Sequence, residues 1–206
     1  MFRQILFAQW KATQWPLLIL GVITFALPLG SASAFAAQRV DEWAPFMPLV
    51  AIFGAFSIGG LAWAWDQMGK NVYALSLPLA RWEYMLLKMA AGAMLLAIPT
   101  ATMWVGALIA VSATDLPVGF HAYPTALAVR FGLAALLSYS AFFAFSGARQ
   151  RTQLALIGVF FATVIGGGIY LDTSAGEGLG RFVEKVLTER PGPLEVFVGS
   201  WRLFDV

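Results

Sequence analysis

Few side chains in this 206-residue sequence have the types and spacing that chemistry needs. The single histidine, His121, has no second ligand type near it to complete a metal site, and a lone loop histidine reads as a polar surface residue. Ser138 and Ser140 sit in an apolar run with no histidine placed to activate them. Asp41 and Glu42 are adjacent in a short segment, and no second acidic cluster stands opposite to make a carboxylate pair for acid–base work. Cysteine is absent, which removes disulfides and thiolate ligation together. No phosphate-binding loop, Gly-x-Gly-x-x-Gly element or zinc spacing occurs. The expectation is a chain that is not an enzyme and holds no cofactor or metal of its own. Two features remain to carry function. One is a pair of cations, Lys88 and Arg130, inside long apolar runs. The other is a polar stretch from Trp65 to Lys88.

The elements that hold these residues follow from composition. Apolar residues make up 60% and charged residues 12% of the chain, against about 45–50% and 25% in a soluble domain. So few charges cannot cover the surface of a water-soluble fold. The chain reads as an all-α integral membrane protein. Five segments have the roughly 20-residue apolar length that crosses a bilayer as a helix: about Pro16–Ala36, Ala44–Trp65, Met85–Val111, Pro124–Ser146 and Gln153–Leu171. They are expected to form a single transmembrane domain over 1–206, with residues 1–15 ahead of the spans and 172–206 behind them. A net charge of +2 and the lack of a basic run exclude a nucleic-acid partner.

Short-loop cations set the orientation. Arg3, Lys11, Lys70, Arg81, Lys88, Arg149 and Arg151 gather on one side against Asp66 and Glu83, while the opposite short loops carry Arg39 against Asp41, Glu42 and Asp115. The amino terminus is therefore expected on the cytoplasmic side of the inner (plasma) membrane. Trp15, Trp63, Trp65 and Trp82 fall near the inner ends and Trp43 at an outer end, as an aromatic belt requires. Residues 1–15 could open a cleaved signal peptide, with Ala32-Ser33-Ala34 as the cleavage site. They read better as an interfacial helix that turns upward at Trp15-Pro16: Phe2, Ile5, Leu6 and Ala12 share a face that Gln9 and Thr13 interrupt. In the tail, Ser174 to Glu177 has capping-box spacing before an apolar face at Phe182, Val183, Val186 and Leu187, and Leu194, Phe197, Val198 and Trp201 repeat helical spacing. Two amphipathic helices on the outer face are expected there.

Lys88 lies a few residues inside the third span, close enough to the cytoplasmic side to snorkel to the headgroups. Arg130 lies six residues beyond Pro124, about 9 Å along a helix. It either snorkels outward or faces a central pathway where it meets an acidic or polar group on cargo. The stretch between the second and third spans is the longest cytoplasmic connection. Lys70 to Leu77 can form a short helix after Gly69, ended by Pro78, with Val72, Tyr73, Leu75 and Leu77 offering an apolar surface to a groove in a soluble partner. Arg81 and Glu83 add charged contacts at the entry to the third span. A plain interfacial loop anchored by Trp65 and Trp82 accounts for the same residues equally well.

The order Asp66, Gly69, then Leu75-Ser76-Leu77-Pro78-Leu79-Ala80-Arg81, then Glu83 and Lys88, resembles the signature of type-2 ABC-exporter permeases. The likeness covers this loop closely and the rest of the chain through its layout. It implies that the loop is a coupling element inserted into a separate nucleotide-binding ATPase subunit, which would hold ATP and magnesium, and that two permease chains pair as a homo- or heterodimer in the lipid bilayer. Carried over by position, Asp66, Gly69, Tyr73, Leu77, Pro78, Arg81 and Glu83 fall at or beside that contact. The family's pattern has a sixth span after the outer helices, and this sequence reaches Asp205-Val206 where that span would begin. The resemblance thus implies a permease subunit of an exporter, and the apolar spans, expected to hold no buried charge, suggest an amphiphilic or apolar cargo. The contrasting expectation is an ATP-independent assembly or anchoring protein that docks a cytoplasmic partner through residues 66–84.

Because the chain has no cysteine, single-cysteine variants report orientation cleanly. Asp115→Cys should react with an impermeant maleimide added outside intact cells, and Arg149→Cys only after permeabilisation. The reverse pattern inverts the topology.

Overall fold

The computed structural model describes residues 1–36, 45–68, 80–117, 119–171, 194–198 and 201–205. They form helices α1 (Phe2–Ala36), α2 (Phe46–Met68), α3 (Arg81–Ser112), α4 (Pro124–Gly147) and α5 (Gln150–Leu171), and a single turn α6 (Glu195–Val198). Two-residue strands β1 (His121–Ala122) and β2 (Phe204–Asp205) pair antiparallel, with His121 opposite Asp205 and Ala122 opposite Phe204. Among the described residues, four helices are long and apolar enough to cross a membrane: α1, α3, α4 and the Phe46–Ala64 part of α2. This is a multi-span membrane protein. The fifth expected span falls within α5, which is helical over its whole length.

The chain divides into two compact units, residues 1–144 with 200–206, and residues 145–199. In the first unit α1 and α3 run side by side in the same direction, because Gln9 meets Lys88 near their starts and Thr24 meets Thr102 further along. α2 and α4 run the opposite way. Leu20 of α1 packs on Gly54 of α2, and Tyr139 of α4 reaches Met89 of α3. The interior is rich in small residues: Ala55, Ala91, Ala107, Ala110 and Ala134 are fully buried. Lipid tails are as apolar as Leu, so helix association in a membrane depends on close packing and interhelical hydrogen bonds, which small side chains permit. Larger side chains fill the space between them, Leu17, Met47, Phe131 and Tyr139 among them, while Val22, Phe53, Met94 and Val129 point outward. In the second unit, Gln153 at the start of α5 donates to the carbonyls of Phe145 and Ser146 at 3.0 and 3.3 Å. That caps the end of α4, whose last carbonyls have no partner within the helix.

The amino-terminal segment departs from the expected turn. α1 continues unbroken through Trp15-Pro16 to Ala36, about 52 Å at helical rise. Ile5, Gln9, Thr13, Leu17, Leu20, Thr24 and Leu27 are all buried at a spacing of three or four, so one stripe faces the bundle from end to end. Gln9 and Thr13, which interrupt the apolar face of an isolated 1–15 helix, belong to that buried stripe. Packing along α3 holds the segment straight, and a membrane helix absorbs an internal proline where neighbours stabilise it. Trp15 and Trp82 are well exposed, as an aromatic belt asks, but Trp63 is buried and donates its indole N–H to the Phe143 carbonyl at 3.0 Å.

The end of the chain also differs. Of the helix expected over 194–201, the described residues show one turn, Glu195–Val198; Trp201 is not helical, and Phe204–Asp205 forms the strand β2. The first tail helix, with its capping box at 174–177, lies outside the described residues. At this end of the bundle the Phe35 ring stacks on Phe204 at 4.7 Å and meets Phe120 edge-on at 5.2 Å.

α1 and α3 approach closely at Gly106, where an added Cβ would stand 2.5 Å from the Phe25 carbonyl oxygen and 3.1 Å from its Cα. Backbone cannot yield as a side-chain tip can. Gly106→Val should lower stability by about 1–3 kcal/mol in a denaturant titration of the purified chain in micelles. Gly60→Ala, where nothing lies within 4 Å, should be neutral or mildly stabilising.

Candidate functional site: a buried ion pair joining four helices

α2 leaves the apolar span Phe46–Ala64 two residues before Asp66. At that point the chain carries a carboxylate at the edge of the hydrocarbon, where an ionised group needs partners. α3 supplies them. Tyr84 and Lys88 lie four apart and therefore on one helical face. Lys88 Nζ forms a short hydrogen-bonded ion pair with Asp66, and both side chains are only 4–5% exposed. The Tyr84 hydroxyl donates to the same carboxylate, 3.2 Å from Oδ1 and 3.0 Å from Oδ2, and stands 3.4 Å from Lys88 Nζ. Trp63, one turn before Asp66 on α2, lays its ring 4.5 Å below the Lys88 ammonium. That cation–π contact stabilises charge without adding another polar atom.

The pair reaches the other two helices of the first unit. Gln9 of α1 donates its side-chain N–H to the backbone carbonyl of Lys88 at 3.0 Å, and the Trp63 indole N–H donates to Phe143 of α4. One connected set of polar contacts thus joins α1, α2, α3 and α4 at the end where α1 and α3 begin. Removing two charges from water costs several kcal/mol per ion, and only tight pairing with further hydrogen bonds offsets it. Both conditions hold here. The arrangement can fix helix register and carry displacement from one helix to another. Among the described residues no group of three His, Cys, Asp or Glu side chains could hold a metal.

Asp66 is the anchor of the buried pair. Arg81 opens α3 and is exposed, and Glu83 is half-buried in its first turn, where an acid complements the positive end of the helix dipole. Gly69, Tyr73, Leu77 and Pro78 lie outside the described residues. Arg130 is well separated in sequence and place. It sits half-buried on α4 with its guanidinium 5.7 Å from the Trp201 ring, so an aromatic face from near the end of the chain covers it.

Lys88 does not snorkel. Its ammonium turns inward because Asp66 stands within reach, and a carboxylate left there alone would cost more than the cation gains from the headgroups. Spans without buried charge were likewise an expectation that Asp66 and Lys88 correct. Gln9, Trp63, Tyr84 and Lys88 are the partners that reading the loop by itself does not assemble. No protein-family model matches the chain, and neither does any curated protein or solved structure.

Asp66→Leu or Lys88→Met alone should destabilise the protein by about 3–5 kcal/mol, because each strands a buried partner. The double variant Asp66→Leu/Lys88→Met should recover most of the loss. A double-mutant cycle in the same denaturant assay tests this, and additive losses would mean the two side chains do not form a buried pair.

Proposed function

We propose that this chain is the transmembrane permease subunit of an ATP-driven exporter, with the segment between α2 and α3 as the element that docks a separate nucleotide-binding subunit. The observation that supports this reading is the ion pair at the two ends of that segment. Asp66 closes α2 and Tyr84 and Lys88 open α3, so the ends of residues 67–83 are joined by a tight polar contact. A docking loop transmits force only if movement at its tip cannot be dissipated at its base. Here any displacement of the base acts at once on α1 through Gln9 and on α4 through Trp63. ATP-driven closure of two such subunits would tilt the helices of two paired chains against each other. Coupling of this kind needs contacts that differ between two states. The apolar outward faces of the helices suit an amphiphilic or apolar cargo that passes between the two chains or enters from the lipid. Catalysis in this reading belongs to the partner, where ATP and magnesium would bind.

Purification of the tagged chain in mild detergent from its native host tests the reading. An ATP-hydrolysing subunit should co-purify, and Pro78→Asp or Arg81→Glu should remove both that subunit and the ATPase activity while the chain stays in the membrane. If no ATPase accompanies the chain and both variants keep whatever partners it has, the exporter reading fails. The segment then serves an ATP-independent anchoring or assembly role.

A further inference from the structure

The first unit is discontinuous: the chain leaves it after Ala144 and completes it with residues 200–206. The point of departure lies at the end of the bundle that holds the ion pair. Phe143, one residue earlier, accepts from Trp63, whose ring carries the Lys88 ammonium. The point of return lies at the other end. Tyr123, immediately ahead of α4, donates its backbone N–H to the Leu203 carbonyl at 3.0 Å, and β2 pairs with β1 beside it. The Phe204 ring stacks on Phe35, one residue from the end of α1. Trp201, Leu203 and Phe204 are all buried, Leu203 completely.

α4 is itself long and apolar enough to span the membrane, so its start and finish stand on opposite sides of the bilayer. Residues 145–199 therefore set out from one side and deliver the chain to the other, which takes an odd number of crossings. Backbone crosses lipid only as a helix or within a closed barrel. Among the described residues of this stretch, α5 alone is long enough. Its 22 residues rise about 33 Å, against a hydrocarbon layer of about 30 Å, whereas α6 is a single turn. α5 also starts on the correct side, because Gln150 follows the last residue of α4 by three. From Leu154 to Leu171 it carries no charge, and Thr163 and Tyr170 are its only hydrogen-bonding side chains there. A helix that lies along the membrane surface needs a strongly polar face, which this sequence does not supply.

We infer that α5 crosses the membrane as a fifth span, and that residues 201–205 are the strap that ties the chain beyond it to the far ends of α1 and α4. The inference needs neither an ATPase partner nor a cargo. Were α5 to stay on the side where it starts, the strap would be left a full length of α4 away from β1 and Phe35. That is about 35 Å at helical rise.

Engineered cysteines test both parts, since the chain has none of its own. Arg202→Cys, exposed on the strap, should react with an impermeant maleimide from the same side of the membrane as Asp115→Cys and from the opposite side to Arg149→Cys. Reaction from the Arg149 side overturns the crossing. The double variant His121→Cys/Asp205→Cys puts thiols on directly opposed residues of the ladder. Their Cα atoms stand about 4.5–5.5 Å apart in an antiparallel pair, within the span of a disulfide. Mild oxidation of membranes should therefore block the mass shift that a polyethylene-glycol maleimide otherwise gives, and reductant should restore it. Arg149→Cys/Asp205→Cys should keep the shift throughout. Failure of the first pair to cross-link overturns the strap, and cross-linking of the second overturns the crossing. If Arg202→Cys reacts from neither side, the disulfide decides, because a bond between positions 121 and 205 sets the strap on the side where α4 begins.

Discussion

The pairing of Asp66 with Lys88 is the constraint on which the bundle depends. Each residue alone would be out of place, an anion at the mouth of one apolar helix and a cation inside another. Together, with Tyr84 donating to the carboxylate and Trp63 beneath the ammonium, they are electrically neutral and hydrogen-bonded. Elsewhere these helices meet through apolar packing and a few hydroxyl hydrogen bonds, such as the 2.8 Å contact between Thr24 and Thr102. Contacts between apolar surfaces slide with little penalty in lipid, because the bilayer offers similar surfaces in exchange. An ion pair does not slide. It sets the register of α2 against α3, and Gln9 and Trp63 extend that register to α1 and α4.

This concentration of polar contacts at one end divides the labour along the helices. At the end where α1 and α3 start, the contacts are directional and have one good geometry. Through the middle, Leu20 packs on Gly54 and the backbone at Phe25 approaches Gly106, contacts that do not specify angle so tightly. A structure held firmly at one end and by shape in the middle can pivot about the firm end. A membrane subunit that turns a push into helix tilt requires that property, whatever delivers the push.

Much of the fold is legible in the amino-acid sequence, because a bilayer imposes a simple rule on helix length and polarity. The positions of α1 to α4 follow from hydropathy, and α5 lies where the fifth apolar segment predicts a helix. The site is less legible, for a physical reason. Local reading treats Lys88 as free to reach the headgroups and Asp66 as part of a docking loop, since each lies near an interface. Only the antiparallel approach of α2 and α3 brings them face to face. The useful signal was the coincidence of polar interruptions at helical spacing, Gln9 with Thr13 and Tyr84 with Lys88. A polar residue inside an apolar stripe marks the buried side more reliably than a further Leu does. The straight run of α1 was hidden for the same reason, because Trp15-Pro16 reads as a turn until the matching face of α3 is known. The short ladder of β1 with β2 has no local signature, since two-residue strands carry too little pattern to recognise.

That ladder has a consequence for how the protein is made. β1 precedes α4, whereas β2 and Trp201 follow the whole of residues 145–199, yet they complete the first unit. The far end of the first unit is therefore closed by a stretch that a ribosome delivers only after the second unit has emerged. Until then Phe35 and Phe120 lack Phe204, and the edge of His121–Ala122 is unpaired. Insertion of the helices and fastening of this far end are separate events, with fastening the later one.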